Sequence, residues 1–155
     1  MSEKRIKILV VGMADSVHLA RWLSQFVNQP IDVILFPSSP HRRIHPLLKG
    51  LMHSASNQMT VTLKPATMRW LALPFSLLDI PFRNALRSRL LRNLINETSF
   101  DLVHVLEIQH AGYLLLGTKL TTTLPKVFVT NWGSDIYWFE QFPKQINVLQ
   151  LLFSV

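Results

Sequence analysis

A carboxylate and an imidazole stand close together just after an apolar segment that predicts a β-strand. Glu107, Gln109 and His110 follow the segment Phe100–Leu106, which reads Phe-Asp-Leu-Val-His-Val-Leu. A carboxylate and an imidazole placed there could orient or deprotonate a hydroxyl group. We therefore take Glu107 and His110 as candidate catalytic residues, and Gln109 as a candidate substrate-binding residue. His104 lies inside the predicted strand, where a hydrogen-bonded core or rim histidine is the common case.

The loop after the first apolar run of the chain carries a second set of polar side chains. Gly12 ends that run, and Asp15 or Ser16 can cap the following helix, because each offers an oxygen to the first-turn amides. Asp15 would repel a phosphate that the helix dipole attracts, which favours a sugar hydroxyl or acceptor group here. His18 could bind a hydroxyl or phosphate oxygen, and Arg21 could grip a phosphate bidentately. The alternatives are a simple cap, a helix-lining histidine and a solvated arginine.

A third polar segment follows the last predicted strand. Its glycine permits a left-handed turn, and the serine or aspartate after it can cap a further helix. Two tryptophans, Trp132 and Trp138, add flat apolar area that stacks on sugars, although core aromatic residues would look the same. The candidate substrate-binding residues of this segment are Asn131, Gly133, Ser134 and Asp135.

Alternating apolar segments predict the elements that position these residues. The predicted strands are Ile8–Val11, Asp32–Phe36, Met59–Leu63, Phe100–Leu106 and Lys126–Thr130. The predicted helices are Val17–Phe26, one or two over Ala66–Leu78, Phe82–Asn96 and His110–Leu120, with a polar, irregular stretch over His41–Gln58 and an apolar segment over Asn147–Val155. Such alternation favours one α/β, Rossmann-like, doubly wound parallel sheet with right-handed crossovers.

The expected strand order is 3-2-1-4-5, which places the first and fourth strands side by side. Ligands of such sheets bind beyond the carboxyl ends of the strands, where the crossovers diverge. This order brings the loop carrying Asp15, Ser16 and His18 near Glu107 and His110, and the turn after the fifth strand borders the same rim.

Composition excludes several classes of site and protein. The 155 residues are 48% apolar and 16% charged, which indicates one globular domain. There is no cysteine, so disulfides and thiolate metal sites are impossible. His41, His45 and His53 lie in a loop-like stretch that contains no carboxylate to complete a metal site. We therefore expect neither a metal nor another cofactor. The loop at Gly12 lacks the further glycines of a dinucleotide fingerprint, and no Walker-type Gly-Lys-Ser is present.

The net charge of +7 suggests an anionic partner, although solubility alone explains a basic protein equally well. Four arginines lie on one predicted helix: Arg83, Arg87, Arg89 and Arg92. With the apolar face expected from Phe82, Ala85, Leu86, Leu90 and Leu94, they resemble a helix that lies on an anionic membrane surface. The alternative is an ordinary helix with a solvated basic face. Nucleic acid is disfavoured, because aromatic and basic residues do not interleave on a strand face.

Three segments resemble one enzyme family in the same order and spacing. Ile-Lys-Ile-Leu-Val-Val-Gly at residues 6–12, with Ser-Val-His-Leu-Ala-Arg-Trp at 16–22, is similar to the first strand, turn and helix of family 4 GT-B glycosyltransferases. Phe-Asp-Leu-Val-His-Val at 100–105 resembles their D-x-V-H strand, and residues 125–135 resemble their following strand with its Gly-Ser-Asp. Two departures are Met13-Ala14, where many relatives are richer in glycine, and Asn131-Trp132, where many have a histidine.

The resemblance implies two Rossmann-like domains facing across a cleft, of which residues 1–155 would be the N-terminal, acceptor-side one. The sequence would then be incomplete at its C-terminus and inactive alone. Transfer would run from a nucleotide sugar, held mainly by the missing domain, to a hydroxyl of a lipid-linked or polysaccharide precursor, with Glu107 or His110 orienting or activating it. The expected location is cytoplasmic, with peripheral contact at the inner membrane face. The competing interpretation is a non-catalytic module binding a sugar or phospholigand.

Overall fold

The computed structural model describes residues 5–38, 43–54, 58–64, 80–120, 125–132, 146, 147, 150 and 151. The strands are β1 (Ile6–Gly12), β2 (Ile31–Pro37), β3 (Thr60–Leu63), β4 (Leu102–Leu106) and β5 (Lys126–Thr130). The helices are α1 (Val17–Ser24), α2 (Pro46–His53), α3 (Ile80–Glu97) and α4 (Tyr113–Gly117), with a π-helical turn over Ile108–Gly112 before α4. In the residues described, no helix is both long enough and apolar enough to cross a membrane.

The five strands form a parallel sheet with the order β3-β2-β1-β4-β5, which confirms the predicted topology. β1 lies at the centre, paired with β2 from Ile6 opposite Ile31, and with β4 from Ile8 opposite Leu102. Its aliphatic run is almost wholly buried, as expected for a strand covered on both faces. The carboxyl ends of all five strands therefore lie at one edge.

Two hydrophobic clusters cover the two faces of this sheet. One face packs side chains of α1 and α2, among them Leu19, Leu23 and Leu48, against alternate residues of β1, β2 and β3. The other face packs Leu91 of α3 and Leu114 of α4 against residues of β1, β4 and β5. Because the helices bury their apolar sides here, the rim at the carboxyl ends is the place left for polar side chains.

The sequence predicted an irregular stretch over His41–Gln58. This prediction is wrong in part, because the stretch contains α2. His45 caps that helix: its ring Nδ1 accepts a hydrogen bond from the amide of Leu47 at 3.2 Å. Pro46 follows at the first helical position, where its missing amide costs nothing. Leu48 and Leu51 then bury one side of the helix. The histidine in place of the usual serine or aspartate concealed this cap.

The prediction for the buried face of α3 is wrong: the residues that the structure buries lie about one position further along the sequence than the predicted ones. The most buried residues are Arg87, Ser88, Leu91 and Ile95. Leu86, Leu90 and Leu94 are only partly buried, and Ala85 is exposed. The prediction failed because it assigned every arginine to the surface, whereas the buried stripe passes through Arg87. The side chain of Phe82 lies outside the described residues.

Helical structure after β4 begins two residues before the predicted His110. The π-helical turn follows Glu107 at once, and α4 continues it. α4 packs closely on α3, since a Cβ at Gly117 would lie 2.3 Å from Ser88 Oγ. The predicted helices over Ala66–Leu78 fall outside the described residues, as do most of Asn147–Val155 and residues 121–124 before β5.

Candidate functional site at the carboxyl ends of the strands

Backbone hydrogen bonds join the ends of four strands at the rim. The amide of Ser38, just after β2, donates to the carbonyl of Gly12 at 2.9 Å. The amide of Glu107, just after β4, donates to the carbonyl of Thr130 at 2.9 Å. Ser16 and His110, which follow the neighbouring strands β1 and β4, therefore lie at the same edge of the sheet, as the predicted pocket requires.

Glu107 is the buried acid of this rim, with 3% of its surface exposed. Its Oε1 accepts a hydrogen bond from Ser38 Oγ at 2.5 Å, within a wholly buried contact. Burying a carboxylate is costly unless hydrogen bonds or opposite charge compensate it. The serine hydroxyl supplies one such bond and fixes the carboxylate in one orientation.

Arg87 of α3 brings a buried positive charge to the same place. Its Nη2 donates to the carbonyl of Pro37 at 2.7 Å and also to the carbonyl of Ser38. Only 3% of this residue is exposed. Ser38 thus bonds the guanidinium through its carbonyl and the carboxylate through its hydroxyl. We call Arg87, Ser38 and Glu107 the buried rim cluster.

His110 lies beside the second oxygen of the carboxylate. The distance from Glu107 Oε2 to His110 Nδ1 is 3.7 Å, and about half of the imidazole is exposed. At this distance the two groups interact electrostatically, and a small rotation would close a hydrogen bond. Catalytic contacts of unliganded sites are often this long. The structure thus brings together the two residues predicted to be catalytic. Gln109 lies between them in sequence and is partly buried.

The backbone of Glu107 is strained. Its φ is 109° and its ψ is 145°, a region that side-chain-bearing residues rarely adopt. Such a conformation costs about 1–3 kcal/mol and persists only where the surroundings enforce it. Two backbone hydrogen bonds hold it here. The amide of Glu107 donates to the carbonyl of Thr130, and the carbonyl of Glu107 accepts from the amide of Gly112 at 3.1 Å. Strain of this kind concentrates at functional sites.

A second group of rings lies between α1 and the ends of β4 and β5. The ring centroids of His18 and Trp132 are 4.7 Å apart, and His18 is exposed. His104 Nε2 lies 2.7 Å from Thr130 Oγ1, and the rings of His104 and Trp22 pack edge to face with their centroids 4.4 Å apart. Burial lowers the pKa of His104, because the charged imidazolium would lose its hydration. His104 is therefore a bonded core histidine, whereas His18 is exposed at the surface.

The first loop is organised by Ser16 and Gly12. Ser16 caps α1, its Oγ accepting from the amide of His18 at 3.2 Å, and Asp15 lies partly buried in the turn before it. Gly12 has an ordinary φ but is packed tightly, since a Cβ there would approach Leu19 Cδ1 to 2.7 Å. The structure therefore assigns Gly12 a packing role, while Arg21 lies exposed on α1.

The remaining candidates lie after β5. Asn131 is exposed directly after the strand. Gly133, Ser134 and Asp135, predicted to border the rim, lie outside the described residues. Within the part of the chain that is described, no group of three or more His, Cys, Asp or Glu residues could hold a metal ion.

The sequence analysis missed two members of the buried rim cluster. Ser38 carried a usable signal, because it lies two residues after the predicted second strand, Asp32–Phe36, and so at the ligand-binding edge. Arg87 carried none, since one arginine among four on a helix gives no sign that it turns inward.

Comparison with known proteins identifies the family. The model of the family described as "Glycosyl transferase 4-like" matches residues 7–154, which is nearly the whole chain. No curated protein matches. Among solved structures, the C-terminal domain of a hydrogenase from Pyrococcus furiosus is similar, with 14% identity over 83% of this chain and 94% of that chain. Its TM-score of 0.43 is too low to carry fold or function over. The family match shows that this chain belongs to the glycosyl transferase 4-like family.

Proposed function

We propose that this chain is the N-terminal, acceptor-side domain of a glycosyltransferase. In this proposal the sugar moves from a nucleotide-sugar donor to a hydroxyl of an acceptor, a lipid-linked or polysaccharide precursor. A second, C-terminal domain would hold most of the donor. The single observation that carries the proposal is the 3.7 Å approach of Glu107 to His110 at the strand edge of a family member.

The pair suits activation of a hydroxyl group. With the carboxylate beside Nδ1, the imidazole can keep its proton there and accept the acceptor's proton at Nε2. As the acceptor oxygen forms its bond to the anomeric carbon, the bond to the nucleoside diphosphate breaks. The diphosphate carries away that bonding electron pair, and its charge would be stabilised mainly by the second domain. The part of this chain is to orient the hydroxyl and receive its proton.

The polar loops around the pair are proposed to hold the acceptor. His18 and Trp132 form a partly exposed aromatic surface on which a sugar ring can lie. Hydroxyl groups of that sugar would find hydrogen-bonding side chains on the neighbouring loops. The proposed set is Asp15, Ser16, Arg21, Gln109, Asn131, Ser134 and Asp135, with Gly12 and Gly133 shaping the loops.

A transfer assay on the whole natural polypeptide tests the proposal. UDP- and GDP-linked hexoses are screened against oligosaccharide and prenyl-diphosphate-linked acceptors, and products are detected by mass spectrometry. We expect His110→Ala to lower kcat about 10²–10⁴-fold, the usual contribution of general acid–base catalysis. His53→Ala is the matched control, because His53 is an exposed histidine at the end of α2. Ligand binding without transfer by the wild type would favour the non-catalytic module instead.

Contact with an anionic membrane also remains a proposal, but with a different set of residues. Arg87 is buried and cannot contribute, and the side chain of Arg83 lies outside the described residues. Arg89, Arg92 and Lys119 line a shallow depression of about 550 Å³ between α3 and the end of α4. We expect co-sedimentation with phosphatidylglycerol vesicles at low salt, reduced in Arg89→Gln/Lys119→Gln. Equal binding to neutral phosphatidylcholine vesicles would contradict this.

A further inference from the structure

We infer that Ser38 and Arg87 are positioning residues, which fix Glu107 and through it the imidazole of His110. The inference rests on the proposed function of that pair. It extends the site to two residues, one directly after β2 and one on α3. Neither the sequence pattern nor the family match gives these residues a role.

Ser38 is used at each of its polar groups, and it is completely buried. Its amide donates to Gly12, its hydroxyl donates to Glu107 Oε1, and its carbonyl accepts from Arg87. The residue therefore connects the end of β1, the end of β4 and the helix α3. Because the backbone of this buried serine is held at its amide and its carbonyl, its hydroxyl is directed toward the carboxylate.

Arg87 fixes the turn that carries this hydroxyl. One nitrogen, Nη2, donates to two consecutive carbonyls, those of Pro37 and Ser38. The two N–H bonds of Nη2 lie in the rigid guanidinium plane and so fix the direction of both hydrogen bonds, whereas the rotatable donors of a lysine ammonium on its flexible chain do not. Arg87 therefore acts on the carboxylate through Ser38, whose backbone it holds at the carbonyl while the hydroxyl of the same residue bonds Glu107.

The two oxygens of Glu107 thereby take separate tasks. Oε1 is occupied by Ser38, and Oε2 faces His110 Nδ1 at 3.7 Å. A carboxylate beside Nδ1 favours the imidazole tautomer that carries its proton there, which leaves the Nε2 lone pair as the base. A carboxylate released from Ser38 would rotate, and His110 would lose this preference.

Nitrogen-15 NMR of histidine-labelled protein reads this tautomer directly and needs no substrate. At a pH where the imidazole is neutral, we expect His110 to carry its proton mainly on Nδ1 in the wild type. In Ser38→Ala the ratio of the Nδ1–H to the Nε2–H form should fall roughly threefold or more, on the scale of one weakened charged hydrogen bond. Ser38→Thr, which keeps a hydroxyl, should retain most of the wild-type ratio.

Ser88→Ala is the matched control. Ser88 is a buried serine whose hydroxyl donates to the carbonyl of Leu114 at 3.1 Å, so its loss also removes one buried hydrogen bond. The His110 tautomer should be unchanged in this variant. Arg87→Lys provides a second test, in which the ratio should fall as in Ser38→Ala, while Arg92→Lys should leave it unchanged, because Arg92 bonds Thr118 instead.

The inference is overturned if folded Ser38→Ala and Arg87→Lys both keep the wild-type ratio, or if Ser88→Ala changes it equally. It is also overturned if wild-type His110 carries its proton on Nε2. Absence of transferase activity would refute the proposed function but would leave the tautomer result standing, so the two failures are distinguishable. With an active enzyme, Ser38→Ala should lower kcat and leave KM unchanged.

Discussion

The two ends of the sheet carry the same three kinds of side chain in different surroundings. At the amino end, Arg5 Nε donates to Asp32 Oδ1 at 2.9 Å, and Thr60 Oγ1 donates to the same oxygen at 2.6 Å. At the carboxyl end, the buried rim cluster likewise combines an arginine, a hydroxyl and an acid. We call the first set the amino-end cluster.

Burial separates the two clusters. The side chains of Arg5 and Asp32 are 39% and 31% exposed, whereas Arg87 and Glu107 are each 3% exposed as residues. Water already solvates the amino-end charges, so their pairing adds little to stability and their loss costs little. Inside the rim, each charge depends on its partners, because desolvation would otherwise be unfavourable by several kcal/mol.

The two clusters therefore contribute to the structure in different ways. The amino-end cluster links β2, β3 and the start of β1, and the backbone of its residues is unstrained. The buried rim cluster holds a strained glutamate and two buried charges at the edge where doubly wound sheets bind ligands. The position of this network at that edge is the reason why we propose an acceptor site there.

The largest expected effect separates the two arginines. Arg87→Met should lower the free energy of unfolding by about 1–3 kcal/mol, because it leaves the buried carbonyls of Pro37 and Ser38 without their donor. Arg5→Met should lower it much less, because the ion pair of Arg5 is exposed to water. Urea denaturation followed by circular dichroism measures both. Similar losses in the two variants would remove the distinction between the clusters.

The next effect compares glycine with alanine at the two acids. Both substitutions delete the carboxylate, but glycine tolerates the φ of 109° at Glu107 and alanine does not. Glu107→Gly should therefore be more stable than Glu107→Ala by about 1 kcal/mol. At Asp32, inside β2, the order should reverse by about 0.5–1 kcal/mol, since glycine weakens a strand. The same sign at both positions in urea denaturation would show that Glu107 is not strained.

The smallest effect is the dependence of stability on pH. Burial lowers the pKa of His104, so stability should fall as the pH drops below about 6.5 toward the folded-state pKa. His104→Gln should abolish that loss. The hydrogen bond from Arg5, and then that from Thr60, lowers the pKa of Asp32. Its contribution is present above about pH 3.9 and is lost as the pH falls through the folded-state pKa.

Urea midpoints measured at one-unit intervals from pH 8 to pH 3 separate the two groups. Asp32→Asn should alter only the acid end of the profile. If His104→Gln leaves the slope between about pH 6.5 and pH 5 intact, burial of that histidine is not its cause.

The sheet was predictable because its signal is local. Aliphatic runs such as those ending at Gly12 and Leu106 alternate with helical patterns, which indicates a doubly wound sheet, and the strand order expected for such a sheet gives the shared edge. The proximity of Glu107 to His110 followed from three residues of sequence separation. The burial of Arg87 was not predictable, because its partners Pro37 and Ser38 lie 50 and 49 positions away in the sequence. The cap by His45 was not predictable because histidine is an unusual capping residue. The φ of Glu107 also depends on tertiary bonds that leave no local pattern.

The most direct test of the central claim, an acceptor site at the carboxyl edge, is amide chemical-shift mapping on isotope-labelled protein. The probes are oligosaccharide acceptors, with UDP-glucose and GDP-mannose as donors. We predict that an acceptor perturbs residues 13–18, 107–112 and 130–132 most, and that Glu107→Gln weakens the response at His110. Perturbations confined to residues 58–60 and 97–100, at the opposite end of the sheet, would contradict the account.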